Sequence, residues 1–165
     1  MGGKIHRYLA DDHRRLDALL ERAISNSGKV DAEALGQFRA GLLKHIGMEE
    51  KVLFPAARKQ RGGDPLPVAA KLRLDHGALT ALLVPTPTAP IVAAIRGILK
   101  VHNLIEEDPG GMYDQCEELA GAETDQILRQ LENYPEVKVV PHVDNLFVMD
   151  ATRRALARAG YDFAL

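Results

Sequence analysis

The sequence lacks several features that mark common classes of protein. It contains one cysteine, Cys116, so no disulfide can form within the chain, whereas small secreted domains are rich in disulfides. No apolar run approaches the roughly 18 residues that a membrane-spanning helix needs. Residues 1–6 lack the apolar core of a signal peptide. These absences favour a cytoplasmic protein with no membrane partner, in which Cys116 is a small buried apolar residue.

An excess of charge of either sign is also missing. The net charge of the 165 residues is -2, whereas a nucleic-acid-binding domain usually carries a basic patch or stripe. We therefore expect no nucleic-acid partner. Apolar residues make up 46% of the chain and charged residues 27%, the balance of an ordinary globular protein. The length suits one domain with a substantial core.

Alternating, strand-like patterns are absent as well, because apolar residues recur at helical spacing instead. Asp31 is a candidate N-cap of the second helix, and Pro55 is expected to kink or end that helix. Short polar segments rich in glycine, proline and serine separate the helices. The pattern predicts an all-α, up-down-up-down four-helix bundle. The four predicted helices cover about residues 5–24, 31–55, 67–84 and 91–107.

The remainder of the chain is predicted to add helices to this bundle. Residues 112–134 have a helical pattern again, and residues 137–140 are a short β-branched run. A last helix is expected over residues 145–159, closed by Gly160. We therefore divide the chain into a four-helix domain, residues 1–134, and a C-terminal helical appendage, residues 135–165, packed on it.

An internal repeat relates the two halves of the predicted bundle. Residues 12–20 align without gaps to residues 75–83, and residues 45–50 align to residues 102–107. The first helix therefore resembles the third, and the second resembles the fourth. This arrangement predicts one helical hairpin used twice, with two-fold pseudosymmetry.

The repeat places histidine and glutamate on the apolar faces of all four helices. Residues four apart on a helix share a face, one turn apart, so each HxxxE pair presents an imidazole beside a carboxylate. A buried carboxylate is costly unless it is protonated, hydrogen-bonded or bound to a metal. Two metal ions would satisfy all six groups together. The candidate ligands are His13, His45, Glu49, His76, His102 and Glu106.

Simpler explanations exist for each residue taken alone. A single histidine on an apolar helix face is usually a hydrogen-bonded core residue, and a single HxxxE is usually an exposed i,i+4 pair. The repetition of both patterns on faces directed at the core argues against these explanations. Imidazole with carboxylate suits iron, manganese or zinc, and the residue types do not choose among them. The absence of HExxH and of Glu-x-x-His argues against a zinc protease and a ferritin-like site.

Over roughly residues 4–120 the sequence resembles the hemerythrin-like family, the HHE cation-binding domains. The resemblance implies two iron ions bridged by the two glutamates. It also implies that the first two histidines bind one iron and the last two bind the other. The residues that carry it, in order on four successive helices, are His13, His45-x-x-x-Glu49, His76 and His102-x-x-x-Glu106.

The sequence departs from the oxygen-carrying hemerythrins at two positions. Those proteins have a further histidine one turn before the third-helix histidine, where this chain has Leu72. They also have an aspartate five residues after the fourth-helix histidine, where this chain has Glu107. The result is a symmetric site, more similar to hemerythrin-like proteins linked to oxygen or nitric-oxide sensing, iron handling and repair. The cysteine-bearing extension of some repair members is not seen, which argues against that subgroup.

The sequence therefore favours a di-iron protein that binds or senses dioxygen or nitric oxide, or that handles iron. Three other classes stay open: a di-iron oxidase or peroxidase-like enzyme, an iron storage or delivery protein, and an interaction module with structural metal. A binding role is favoured over catalysis. The sequence does not show whether the chain has a protein partner.

Other polar residues near the candidate ligands have expected roles outside the ligand set. Asp12 and Asp75 each precede a candidate histidine, and we expect them to hydrogen-bond a ligand of a neighbouring helix or to face solvent. Glu50 and Glu107 are expected to lie outside the ligand set for the same geometric reason. His6 is predicted to be exposed. His142, in a loop, could cap the site from the appendage, but a loop histidine is more often in solvent. The sequence does not decide whether Tyr8 and Tyr113 line the pocket mouth.

Overall fold

The computed structural model describes residues 2–24 and 29–165. Within these ranges it contains eight α-helices and no β-strand, which confirms the all-α prediction. A π-helical turn, Glu49–Leu53, joins the second helix to the third, and a 3₁₀ turn, Gly121–Glu123, joins the sixth to the seventh. The helices are α1 (Lys4–Ile24), α2 (Ala32–Met48), α3 (Phe54–Gln60), α4 (Ala69–Leu82), α5 (Ala89–Glu107), α6 (Met112–Ala120), α7 (Thr124–Glu132) and α8 (Leu146–Ala159).

The helix ends follow local capping chemistry. The Asp31 side chain accepts a hydrogen bond from the Ala34 backbone N–H, as expected for the N-cap of α2. The Asn145 side chain caps α8 in the same way. Gly160 ends α8 with φ of +86°, a left-handed conformation that glycine adopts without a steric penalty. The predicted turn at residues 25–28 lies outside the described residues.

Pro55 does not end the second predicted helix, contrary to one of the two outcomes expected for it. A proline inside an α-helix clashes with the carbonyl four residues earlier and cannot donate to it. Here the chain widens into the π turn first, and the Phe54 N–H bonds the Glu49 carbonyl. The helical path then continues through α3. Such π turns occur frequently at functional sites, and this one begins at Glu49, a candidate ligand.

The described residues divide into two compact units. The first comprises residues within Met1–Pro65 together with Glu106–Val139. In it α1 packs on α2, and α6 packs on both α1 and α3. The buried apolar side chains of its core include Ile5, Leu9, Leu20, Phe38, Leu42 and Leu53.

The second unit comprises Leu66–Ile105 and Val140–Leu165. In it α8 packs on α4, over a core that includes Leu72, Leu79, Leu82, Ile98 and Leu156. The segment before α8 is attached to the loop after α4, since the Val143 N–H donates to the Val84 carbonyl at 3.1 Å. The division into residues 1–134 and 135–165 stays a prediction. None of the helices described is both long and apolar enough to cross a membrane.

Candidate metal centre

Four of the six candidate ligands come together in the first unit. His13, His45, Glu49 and Glu106 are all buried, and both glutamates have no exposed surface. Each can offer one donor atom such that all four atoms lie within 4.8 Å of one another. His13 Nε2 is 3.4 Å from Glu106 Oε2, and His45 Nε2 is 3.3 Å from Glu49 Oε1. Two imidazole nitrogens and two carboxylate oxygens thus form one buried donor set.

Helical periodicity explains how these side chains reach the interior. His13 lies on the α1 face that also carries Leu9, Leu16 and Leu20, all buried. His45 is in the last turn of α2, and Glu49 follows one turn later at the start of the π turn. The same helix faces that bury leucine therefore bury the ligands.

A further carboxylate contacts the other ring nitrogen, Nδ1, of each of these two histidines. Asp12 Oδ2 is 2.8 Å from His45 Nδ1, and Glu107 Oε1 is 2.5 Å from His13 Nδ1. Both histidines therefore direct Nε2 toward the glutamates. A carboxylate on the far nitrogen fixes the tautomer and orientation of a metal-binding imidazole. Asp12 therefore accepts a hydrogen bond from a candidate ligand of the neighbouring helix, which is one of the two outcomes expected for it. The sequence predicted that Glu107 is not a ligand, but it did not reveal its partner.

The carboxylates make this cluster favourable for positive charge. Burial alone would lower the pKa of His45, but Glu49 and the hydrogen bond to Asp12 outweigh burial and raise it to about 10. Hydrogen bonding to His13 similarly lowers the pKa of Glu107 despite burial. Protons and metal cations compete for such sites, because a metal binds the deprotonated imidazole.

Tyr113 lies beside this donor set, with no exposed surface. Its hydroxyl donates to Glu49 Oε1 at 2.7 Å and lies 3.3 Å from Glu106 Oε2. It is also 3.1 Å from both His13 Nε2 and His45 Nε2. Burial, reinforced by the two glutamates, raises the pKa of the Tyr113 phenol well above 10. Tyr113 is thus a central residue of the cluster, and helical spacing from the other candidates did not reveal it, because residues 108–111 interrupt the helix.

The other two candidate ligands come together in the second unit. His76 and His102 are buried, and their ring centroids are 4.9 Å apart in an edge-on arrangement. Asp75 Oδ2 is 3.2 Å from His102 Nδ1, and Lys71 Nζ is 2.5 Å from the other oxygen of Asp75. Asp75 therefore holds the histidine of α5 as Asp12 holds the histidine of α2. The sequence repeat extends to these hydrogen bonds.

The family comparison agrees with this arrangement. The family described as hemerythrin HHE cation binding domain matches residues 4–137. The chain belongs to the hemerythrin HHE family. This confirms the predicted family and, with the all-α structure, the helical-bundle fold of hemerythrin-like domains. No curated protein and no solved structure matches the chain.

Membership and geometry together identify this HHE domain as a cation-binding protein. The buried histidines and glutamates fit a metal site, since imidazole and carboxylate are donors that iron, manganese and zinc accept. An ionised carboxylate with no exposed surface needs a cation or hydrogen bonds nearby, and a metal would supply the cation.

The remaining candidate residues of the HHE domain lie outside these clusters. His6 Nδ1 is 2.6 Å from Asp114 Oδ1, so His6 is half-buried and paired, not exposed as predicted. His142 Nδ1 is 3.3 Å from the Val84 carbonyl, so this loop histidine has a backbone partner. Cys116 is buried as expected, with Sγ 3.6 Å from Met112 Sδ, and burial raises its pKa to about 12.

The carboxylates that contact Nδ1 of the histidines are predicted to strengthen metal binding. Asp12→Ala removes the group that holds the His45 ring, and we expect metal affinity to fall by about 10–100-fold. The matched control is Asp11→Ala, since Asp11 is exposed and pairs only with Arg14 among the contacts described. Competition against a chromogenic chelator measures both affinities. Equal affinity in the two variants would show that Asp12 does not support the metal.

Proposed function

We propose that this HHE domain holds two iron ions and binds dioxygen or nitric oxide at them. In this proposal the first two histidines bind one ion, the last two bind the other, and the glutamates bridge. Iron, when bound, supplies the redox chemistry and the coordination positions that a diatomic ligand requires. The proposed ligands are His13, His45, Glu49, His76, His102 and Glu106.

One observation carries the proposal: in both halves of the repeat, an aspartate contacts Nδ1 of a candidate histidine. Asp12 lies against His45 Nδ1, and Asp75 lies against His102 Nδ1. A core histidine needs only one hydrogen-bond partner, which can be neutral, whereas here a carboxylate lies against Nδ1 of a histidine in both halves of the repeat. This support is expected of metal sites, because a metal-binding imidazole is usually oriented in this way.

The position of Glu106 supports a shared carboxylate. Glu106 follows His102 by one turn on α5, so both residues lie on the same face of that helix. The same carboxylate lies 3.4 Å from His13 Nε2 in the first unit. A carboxylate has two oxygens and can therefore serve two ions.

The surroundings favour a small apolar molecule as the exogenous ligand. Leu72, Leu79 and Ile98 have no exposed surface, and Leu72 precedes His76 by one turn on α4. These three positions, each one turn from His76 or His102 on its own helix, are therefore apolar, and they offer no hydrogen-bond partners to a polar substrate. The burial of every proposed ligand also favours resident ions over iron held for delivery.

The proposal predicts that the chain binds about two iron ions after anaerobic reconstitution with ferrous iron. Metal analysis after gel filtration gives the stoichiometry, and visible spectra before and after addition of each gas give the response. His142→Ala, which removes a histidine outside both clusters, should load as much iron as the unmodified chain. One ion or fewer would contradict a dinuclear centre. Full loading without a spectral response to either gas would contradict the gas-binding role.

A further inference from the structure

The Tyr113 hydroxyl has an unusual position for a core tyrosine. A buried phenol ordinarily needs one acceptor, which Glu49 Oε1 provides at 2.7 Å. This hydroxyl also lies within hydrogen-bond distance of three further groups, His13 Nε2, His45 Nε2 and Glu106 Oε2, at 3.1, 3.1 and 3.3 Å. The four groups are the four members of the donor set in the first unit.

These distances are those between neighbouring ligands of one metal ion. With bonds of about 2.1 Å and octahedral geometry, adjacent donor atoms lie about 3 Å apart and opposite ones about 4.2 Å apart. The four donors lie within 4.8 Å of one another, and the hydroxyl is 2.7–3.3 Å from all four. The distances from the hydroxyl to the four donors therefore match the spacing expected for a fifth ligand of the same ion.

We propose that Tyr113 is a ligand of the ion held by His13 and His45, binding through its phenolate oxygen. This inference rests on the proposed function and extends its ligand set by one residue. When the metal–oxygen bond forms, the phenol O–H bond breaks and the proton leaves to solvent. No electron is transferred in this step, so it needs no oxidant or reductant.

The inference makes the two ions unequal. Tyr113 follows Glu106 by seven residues, and the residue that follows Glu49 by seven is Ala56. The repeat therefore supplies one phenol, not two. The ion at His13 and His45 gains a protein ligand, while α4 presents Leu72 one turn before His76 at the other. An exogenous ligand is then expected at the second ion, which has fewer protein ligands.

The inference is tested on the full chain, loaded anaerobically with ferrous iron and oxidised with ferricyanide. A phenolate bound to ferric iron should give a visible charge-transfer band, and Raman excitation in that band should enhance tyrosine ring modes. Growth on ring-deuterated tyrosine should shift those modes. Tyr113→Phe should lose the band and the modes. Tyr8→Phe, which removes a phenol elsewhere in the same unit, should keep both.

The outcomes separate this inference from the proposed function. About two irons per chain without tyrosine modes would overturn ligation by Tyr113 and leave the di-iron proposal standing. Persistence of the modes in Tyr113→Phe would also overturn it. A chain that binds no iron would overturn both proposals. If Tyr113→Phe does not fold, the isotope shift in the unmodified chain still decides whether a tyrosine binds the iron.

Discussion

Glu106→Ala is expected to release both metal ions, whereas His13→Ala should weaken only one. A bridging carboxylate touches both ions and offsets the repulsion between two cations about 3.5–4 Å apart. In the proposed site each histidine binds one ion, so its loss leaves the other ion with its own ligands. We therefore expect the iron content to fall from about two per chain to well below one in the glutamate variant. His13→Ala should retain about one.

The experiment needs variants that separate loss of metal from loss of fold. Glu106→Gln keeps the shape of the side chain and removes its charge, so it should lose iron without leaving a cavity in the core. Glu118→Ala, on the exposed surface of α6, is the control and should bind two ions. Metal analysis and far-UV circular dichroism are measured on each sample. Selective loss of one ion in both Glu106 variants and in Glu49→Ala would indicate terminal, not bridging, carboxylates.

Leu72 is expected to have a large effect on the reaction with oxygen, because it occupies the position where oxygen carriers have a further histidine. Its side chain has no exposed surface and lies one turn before His76 on α4. Leucine cannot bind a metal, so in the proposed site a coordination position there is left to an exogenous ligand. We expect the diferrous protein to convert promptly to the diferric form in oxygen and not to recover when the gas is removed.

Leu72→His should slow this conversion by about tenfold or more, a barrier increase of about 1.4 kcal/mol or more, since an imidazole would fill the position. Leu72→Ile, which keeps an apolar side chain of the same volume, should oxidise at the unmodified rate. Stopped-flow absorption measures the rates, and repeated cycles of oxygen addition and removal measure reversibility. Full recovery of the diferrous spectrum over several cycles would restore the assignment of an oxygen carrier.

The helices and the family could be predicted from the sequence because both depend on local spacing. Caps such as Asp31 and Asn145 act within one turn, and the structure confirms helices at the predicted places. Apolar residues recur with the helical period, so the buried face of each helix is visible in the sequence. The ordered set of histidines and HxxxE pairs on four such faces pointed to the HHE family, which the family match confirms.

The course of the chain around Pro55 could not be predicted in the same way. Proline predicts a clash with the preceding turn, but several local solutions relieve that clash. The structure adopts a π turn beginning at Glu49, a choice that depends on how the surrounding side chains pack. The sequence therefore showed where the helix is disturbed, at Pro55. The form of the disturbance depends on tertiary packing.

By itself, the sequence determined which residue types face the core and on which helix each lies. Only the tertiary structure decided that Glu107 supports His13, that Asp12 supports His45, and that the Tyr113 hydroxyl lies among four donors. Glu107 is 94 residues from His13, and Tyr113 is 100 residues from it. Helical periodicity fixes the direction of a side chain relative to its own helix axis. The partner that it meets depends on how the helices pack, because that packing sets the rotation of each helix about its axis.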